Sequence, residues 1–282
     1  MHDDRGTQNG DRLPARMNSL GSIERAGVLD AVITAGGRLT PAEAQRYGTD
    51  VKALVEINGA TLLATMIQAL RNVPMVGSIT VVGPRAVERC GARFDGWVDE
   101  SPTGEDNVMA ALRATAAGRA LFCASDLPFV TAQSIEGLLA LVKPDAAVAY
   151  PIFTRGEFLN ALPGARSSFF KLADGQWTGG SVLVVDSAML LAKAHYIKAA
   201  FRARKNPAAL APLLGAALLW RYAVGRAGVD EIVARVAHLL GAPVYAIRGA
   251  DPVLAMDCDG AEDIEYARQA SLREATTPER TP

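Results

Sequence analysis

From Val28 onward the chain alternates short β-branched runs with longer stretches of helical spacing. Val28 to Ala35 is such a run and ends at Gly36-Gly37, which predicts a buried strand feeding a glycine turn. Residues 38–52 are polar without a clear period and are expected as a loop. Leu54 to Ile57 leads into Asn58-Gly59, a turn signal. Apolar residues at helical spacing predict a helix over 61–70, residues 78–83 a second strand, and 108–118 a helix closed by Gly118. A third strand over 120–125, a helix over 132–142 and a strand over 145–151 follow.

The second half has a different texture. Residues 171–177 and 181–186 read as strands flanking Thr178-Gly179-Gly180. Three Ala/Leu-rich helical stretches come next, over 187–202, 207–222 and 229–240. Strands over 244–247 and 253–257 and a helix over 261–270 close the pattern. Strand-helix alternation of this kind predicts an α/β fold with three layers, a mostly parallel sheet between helices, and a helical insertion in the second half. One domain is expected over 28–270, between a flexible polar leader (1–27) and a flexible tail (271–282).

Composition narrows the function classes. Of 282 residues, half are hydrophobic and 21% are charged, the balance of a globular protein. Lys and Arg number 29 against 30 Asp and Glu, a net charge of −1, so no broad basic field for nucleic acid exists. Cys90, Cys123 and Cys258 are too scattered for a disulfide framework or a zinc quartet. The longest uncharged apolar run, 208–220, holds Pro212 and Gly215 and falls short of the roughly 18–20 residues of a membrane span. The leader lacks the apolar core of a secretion signal. A cytoplasmic location is the expectation, with no nucleic acid and no membrane as partner.

Three segments carry chemistry. Ala35-Gly36-Gly37-Arg38, followed by Lys52, has the outline of a phosphate cradle, since glycine lets backbone N–H groups approach an anion and the cations add charge. It matches neither G-x-G-x-x-G nor the P-loop pattern, and an ordinary tight turn would use the same glycines. Ser125-Asp126-Leu127-Pro128 follows a buried strand, where open α/β sheets bind ligands. Asp126 there suits Mg²⁺ or the N-cap of the next turn. In an extended Met256-Asp257-Cys258-Asp259, both carboxylates share a face and repel unless a cation lies between them, while Asp259 also suits the cap of the last helix. Arg202-Ala203-Arg204-Lys205 reads as a helix end or as a site for an anion. The histidines are scattered, and no Ser-His-Asp pattern is visible.

Taken in order, Ala35 to Arg38, Lys52 to Gly59, Ser125 to Pro128 and Asp257 to Asp263 resemble the MobA-like NTP transferases, nucleotidyltransferases of the GT-A superfamily. The resemblance covers about residues 28–270 and implies a GT-A-like, Rossmann-like fold. It gives Ala35, Gly36, Gly37, Arg38 and Lys52 to the NTP phosphates and Asn107 to base or ribose. It gives Asp126 to Mg²⁺, with Asp257 or Asp259 completing the metal site. Arg166, Arg204 and Lys205 fall in its substrate-side segments and are expected to bind a small anionic acceptor. The implied reaction moves an NMP from an NTP, CTP or GTP, to the phosphate or hydroxyl of an acceptor, a phosphorylated one being the leading expectation, with Arg38, Lys52 and Asp126 as the catalytic set and pyrophosphate leaving. Two departures leave base and acceptor open: Arg38 follows Gly37 directly, and Ser181 follows Thr178-Gly179-Gly180. The alternatives are a GT-A glycosyltransferase, whose D-x-D motif is missing at Ser125-Asp126-Leu127, and a non-catalytic nucleotide-binding protein. The oligomeric state stays open.

Overall fold

The computed structural model describes residues 28–115, 118–203 and 211–276. Its first half runs β1 (Leu29–Thr34), α1 (Pro41–Tyr47), the short pair β2 (Glu56–Ile57) and β3 (Ala60–Thr61), α2 (Leu62–Arg71), β4 (Val76–Gly83), β5 (Gly96–Asp99), α3 (Gly104–Ala114), β6 (Arg119–Ala124), α4 (Ala132–Leu141), β7 (Val148–Thr154) and α5 (Arg155–Ala161). Then come β8 (Phe170–Leu172), β9 (Gly175–Gly179), β10 (Val182–Asp186), α6 (Ser187–Ala192), α7 (Ala194–Ala203), α8 (Ala211–Leu214), α9 (Ala216–Ala223), α10 (Val229–Leu240), β11 (Val244–Ile247) and α11 (Ala261–Thr276).

One mixed sheet organises the chain, in the order β5-β4-β1-β6-β10-β7-β9-β8, with β11 also on β7. β5, β4, β1 and β6 are parallel. β10 runs antiparallel between β6 and β7. Side chains alternate across the strands, and the two faces bury different helices. Ala31, Ile33, Ile79, Val81, Leu121 and Cys123 pack with α2, α4 and α5, whereas Val32, Val82 and Phe122 face α3. The three-layer α/β/α architecture expected from the alternation is therefore present. Among the described residues no helix is long and apolar enough to cross a membrane.

β1 and β6 pair in register from Asp30 opposite Ala120 to Thr34 opposite Ala124. The glycine loop and Asp126 therefore leave the sheet at the same level. β9 and β10 both pair with β7, but the register slips by two residues over Gly180 and Ser181. The slip needs glycine: a Cβ on Gly180 would lie 2.8 Å from Pro151 Cγ and 3.2 Å from the Leu254 carbonyl oxygen. Ser181 N donates to that same oxygen at 2.7 Å, and Ser181 O accepts from Ala124 N at 2.9 Å, which ties β6 to the chain before Asp257.

Several elements differ from the sequence pattern. The segment expected as a loop over 38–52 contains α1, held by a capping box in which Thr40 Oγ1 accepts from Glu43 N and Glu43 Oε2 from Thr40 N. β5 was not anticipated, because Gly96-Trp97-Val98-Asp99 is too short for a periodic signal. α3 starts at Gly104 and ends at Ala114, so Gly118 is not its cap. β7 begins three residues late and runs on to Thr154, since residues 144–147 turn into it. Residues 171–177 form a hairpin, not a strand: Lys171 lies opposite Gln176. The stretch 187–202 breaks at Lys193. The expected strand 253–257 is instead a 3-10 turn over Pro252–Ala255, because Pro252 fixes φ and the Asp251 carboxylate accepts from Val253 N. α11 continues to Thr276, past the expected end at 270.

Candidate active site

Asn58 (φ 53°) and Gly59 (φ 82°) fold β2 against β3, and buried Val51, Ala53 and Val55 fix the 3-10 turn Lys52–Leu54 just before them. Lys52 N donates to Gly37 O at 3.0 Å, so the lysine is tied to the glycine loop by its own backbone. Its side chain crosses Gly37, where a Cβ would stand 3.1 Å from Lys52 Cε. Gly36 is equally constrained, since a Cβ there would lie 2.9 Å from Glu100 Oε2 and 3.3 Å from Asn107 Nδ2. The glycines admit side chains that a larger residue would push away.

The Lys52 ammonium ends 2.5 Å from Asp126 Oδ2 and 3.2 Å from Asp259 Oδ1. Burial works against this charge, but the two carboxylates outweigh it and hold the lysine pKa above its ordinary value. Asp126 is buried at the end of β6, and its carbonyl accepts from Cys258 N at 2.9 Å. That bond brings Asp257 and Asp259 beside Asp126. Burial, then the charges of Asp126 and Asp259, push the Asp257 carboxyl up to about 6. Asp257 and Asp259 lie in irregular backbone before α11, not in a strand. α11 is capped by Asp263, which accepts from Asp259 N and Gly260 N, and by Glu43, which accepts from Ala261 N.

A cavity of about 660 Å³ opens over this floor, lined by Gly36, Gly37, Arg38, Lys52, Asn107 and Asp126 among others. Ala35 is fully buried just beneath the loop. Arg38 pairs with Glu100 and, at 3.5 Å, with Asp50, and donates to Gly36 O. Asn107 Oδ1 accepts from Ser101 N at 2.5 Å. A second cavity of about 750 Å³ lies on the other side of Asp257 and Asp259. Arg166 lines it but is paired with Glu262, and Glu43, Asp257, Asp259 and Asp263 make that side acidic. Arg166 therefore sits apart from the first cavity, while Arg204 and Lys205 lie outside the described residues.

Sequence reasoning missed one wall of the first cavity. Phe201 of α7 lines it. α7 is fastened to the start of α3 by Arg202, which donates twice to Glu105 at 2.5 Å, and by Lys198, 2.9 Å from Asp106. The signal was present as two cations four apart on one helix and two adjacent acids opening another. Glu100 and Ser101, at the end of the unanticipated β5, complete the same wall.

Among the described residues, no three His, Cys, Asp or Glu side chains converge to cage a metal ion. Mg²⁺ ordinarily takes one or two carboxylates and completes its shell with water and phosphate oxygens. Asp126 with Asp257 or Asp259 offers an oxygen-only donor set of that kind, and a cation there would offset both the burial and the neighbouring carboxylate charges that raise Asp257. The residues fit such an ion.

Comparison with known proteins agrees with this geometry. The family model described as the MobA-like NTP transferase domain matches residues 31–211. A hypothetical transferase from Thermus thermophilus superposes with a TM-score of 0.75 at 26% identity, over 84% of this chain and 99% of that one. A nucleotidyl transferase from Methanothermobacter gives a TM-score of 0.51 at 17% identity, covering 88% and 99%. The 2-C-methyl-D-erythritol 4-phosphate cytidylyltransferase from Thermus thermophilus gives 0.51 at 18%, covering 87% and 99%. The last two likenesses are of fold. No curated protein matches the sequence.

Proposed function

We propose a function from one premise: this chain belongs to the MobA-like NTP transferase family, whose model spans residues 31–211. The protein transfers an NMP from an NTP to a small-molecule acceptor and releases pyrophosphate. An acceptor oxygen, either an ionised phosphate oxygen or a hydroxyl that gives its proton to solvent, forms the new bond to the α-phosphorus, and the bond from that phosphorus to the β-phosphate bridging oxygen breaks, its electron pair leaving with pyrophosphate.

The observation that carries this reading is Lys52, held between Asp126 and Asp259 against Gly37 at the open end of the sheet. When nucleotide enters, its phosphates supply the negative charge that the carboxylates supply in its absence. Lys52 then stabilises the charge that grows on the leaving group. Arg38 adds a second cation once it exchanges Glu100 for phosphate. Gly36 and Gly37 offer close backbone approach, and Asn107 faces base or ribose. Mg²⁺, held by Asp126 with Asp257 or Asp259, would neutralise phosphate charge when bound. Positioning and charge then account for most of the rate.

The acceptor lies in the second cavity. A phosphorylated acceptor would take Arg166 from Glu262. One observation favours a second reading, an acceptor that presents a hydroxyl and no phosphate: among the described residues lining that cavity, Arg166 is the single cation beside Glu43, Asp257, Asp259, Glu262 and Asp263. Pyrophosphate release is to be measured with CTP, GTP, ATP and UTP and Mg²⁺ against phosphorylated and hydroxyl acceptors. Turnover with one NTP supports the assignment. An enzyme that binds a sugar nucleotide, and no free NTP, overturns it in favour of glycosyl transfer.

A further inference from the structure

A third cavity, of about 440 Å³, lies between the sheet and the helical insertion. On β7 the odd positions Ala149 and Phe153 enter the main core, while Val148, Tyr150 and Ile152 face this space. Leu219 and Tyr222 of α9 and Ile232 of α10 roof it. Among the described residues no charged side chain lines it; its polar groups are Thr178, the Trp177 indole and tyrosine hydroxyls. Packed interiors contain few voids larger than one water, whose share of the liquid is about 30 Å³. An apolar space this large lies within the size range of small-molecule sites, roughly 300–1,000 Å³.

Its position gives it a purpose. Tyr150, Phe170, Thr178 and Gly179 line both this cavity and the acidic acceptor-side cavity. Phe170 and Tyr150 stand at the junction 57% and 40% exposed, so both rings present apolar surface there. Tyr150 lies across Gly179, where a Cβ would overlap the phenol oxygen, so the glycine is what admits the ring. The acidic cavity and the apolar one are therefore neighbours that share an aromatic pair.

We infer that the third cavity receives a hydrocarbon arm of the acceptor, which makes the acceptor an amphiphile: a polar head beside Asp257 and Asp259, and an aliphatic tail between β7 and α9–α10. This inference rests on the transferase reading above. Both acceptor heads considered there share the arm.

The test uses the full chain and two series of probes below their micellar concentrations, n-alkyl phosphates and n-alkyl glucosides from butyl to decyl. Calorimetry reads their affinity, and in parallel the binding of Mg²⁺ with CTP or GTP. In at least one series, affinity should rise about three- to fourfold per added methylene and then level off as the cavity fills, with a negative heat-capacity change. The series that responds identifies the head. Leu219→Trp, which fills the cavity with apolar volume, should flatten the chain-length dependence and leave nucleotide affinity unchanged. Ile232→Asp should do the same, provided its melting curve is intact. Chain-length independence in both series, with nucleotide binding preserved, overturns the inference and leaves the transferase reading standing. An unchanged chain-length dependence in a folded Leu219→Trp protein places the probes elsewhere and also overturns it. Absence of any nucleotide binding removes the transferase reading, and with it the assignment of the cavity to an acceptor.

Discussion

Lys52 neutralises carboxylates from two distant parts of the chain, so its removal has two expected effects. Lys52→Ala leaves buried Asp126 without a counter-charge, which should cost about 3 kcal/mol of stability. It should also weaken NTP binding by roughly 1.5–3 kcal/mol, the worth of one charge-assisted contact. Chemical denaturation and nucleotide titration measure the two separately, and unchanged affinity would remove Lys52 from the phosphate site. Asp126→Asn should keep the fold and lose Mg²⁺-dependent pyrophosphate release; near-wild-type turnover would exclude the metal role. Asp257 gives a pH signature. Its carboxyl titrates near 6 when folded against an ordinary 3.8, so between those values the folded state holds a proton that the unfolded state lacks. The stability it contributes is complete below about pH 4 and is lost as pH rises through about 6. Asp257→Asn should match the wild type in acid and exceed it by about 3 kcal/mol above that range without metal. Melting at several pH values checks this, and a difference independent of pH would contradict it. Single residues at the site were legible because their positions follow from strand ends: Gly36, Gly37 and Asp126 each leave a β-branched or apolar run. Arg38's tie to Glu100 was not legible, because it depends on where β5 lies.

Elements were read well where they were periodic and poorly where they were short. β1, β6 and α2 are long apolar patterns with one clear period. α1 has no buried residue, so it carries no hydrophobic stripe. Its markers were all chemical: Thr40 and Glu43 as a capping box, Pro41 at the first turn and Gly48 (φ 72°) at the end. The segment 253–257 erred in the opposite sense, since Leu254, Ala255 and Met256 are buried without pairing in a sheet. Between elements, the Arg202–Glu105 and Lys198–Asp106 links hold α7, and with it Phe201, against the first cavity. Arg202 is largely exposed, and links of this kind are weak and screened by salt. Arg202→Ala should leave melting nearly unchanged and weaken NTP binding less than about tenfold, with the difference shrinking in high salt. A loss that is insensitive to salt would mean that α7 is held by packing alone.

At the scale of the molecule, the parallel sheet follows from strand-helix alternation, but the insertion of β10 between β6 and β7 does not. Nothing local in Val182–Asp186 distinguishes an antiparallel strand from a parallel one. What decides it is the hairpin at Ala173-Asp174 and the two-residue slip at Gly180-Ser181, which bring the chain back along β7. The apolar cavity was invisible for a similar reason, since its lining comes from β7, β9, β11 and the insertion at once. Binding at the open end of the sheet should stabilise the whole fold by mass action. With Mg²⁺ and the cognate NTP at about 100 times its Kd, the gain is about 2.7 kcal/mol, visible as a rise in melting temperature. A nucleotide that shifts nothing at saturating concentration is not the substrate.

The hydrogen bond from Cys258 N to Asp126 O joins positions 132 residues apart in the chain. During synthesis at roughly 5–20 residues per second, about 7–26 s pass between the appearance of one partner and that of the other. Through that interval the residues of β1, β6 and Lys52 already exist while Asp257 and Asp259 do not. The nascent chain therefore holds one of the three carboxylates of that floor, and the cluster is complete only with the segment that precedes α11.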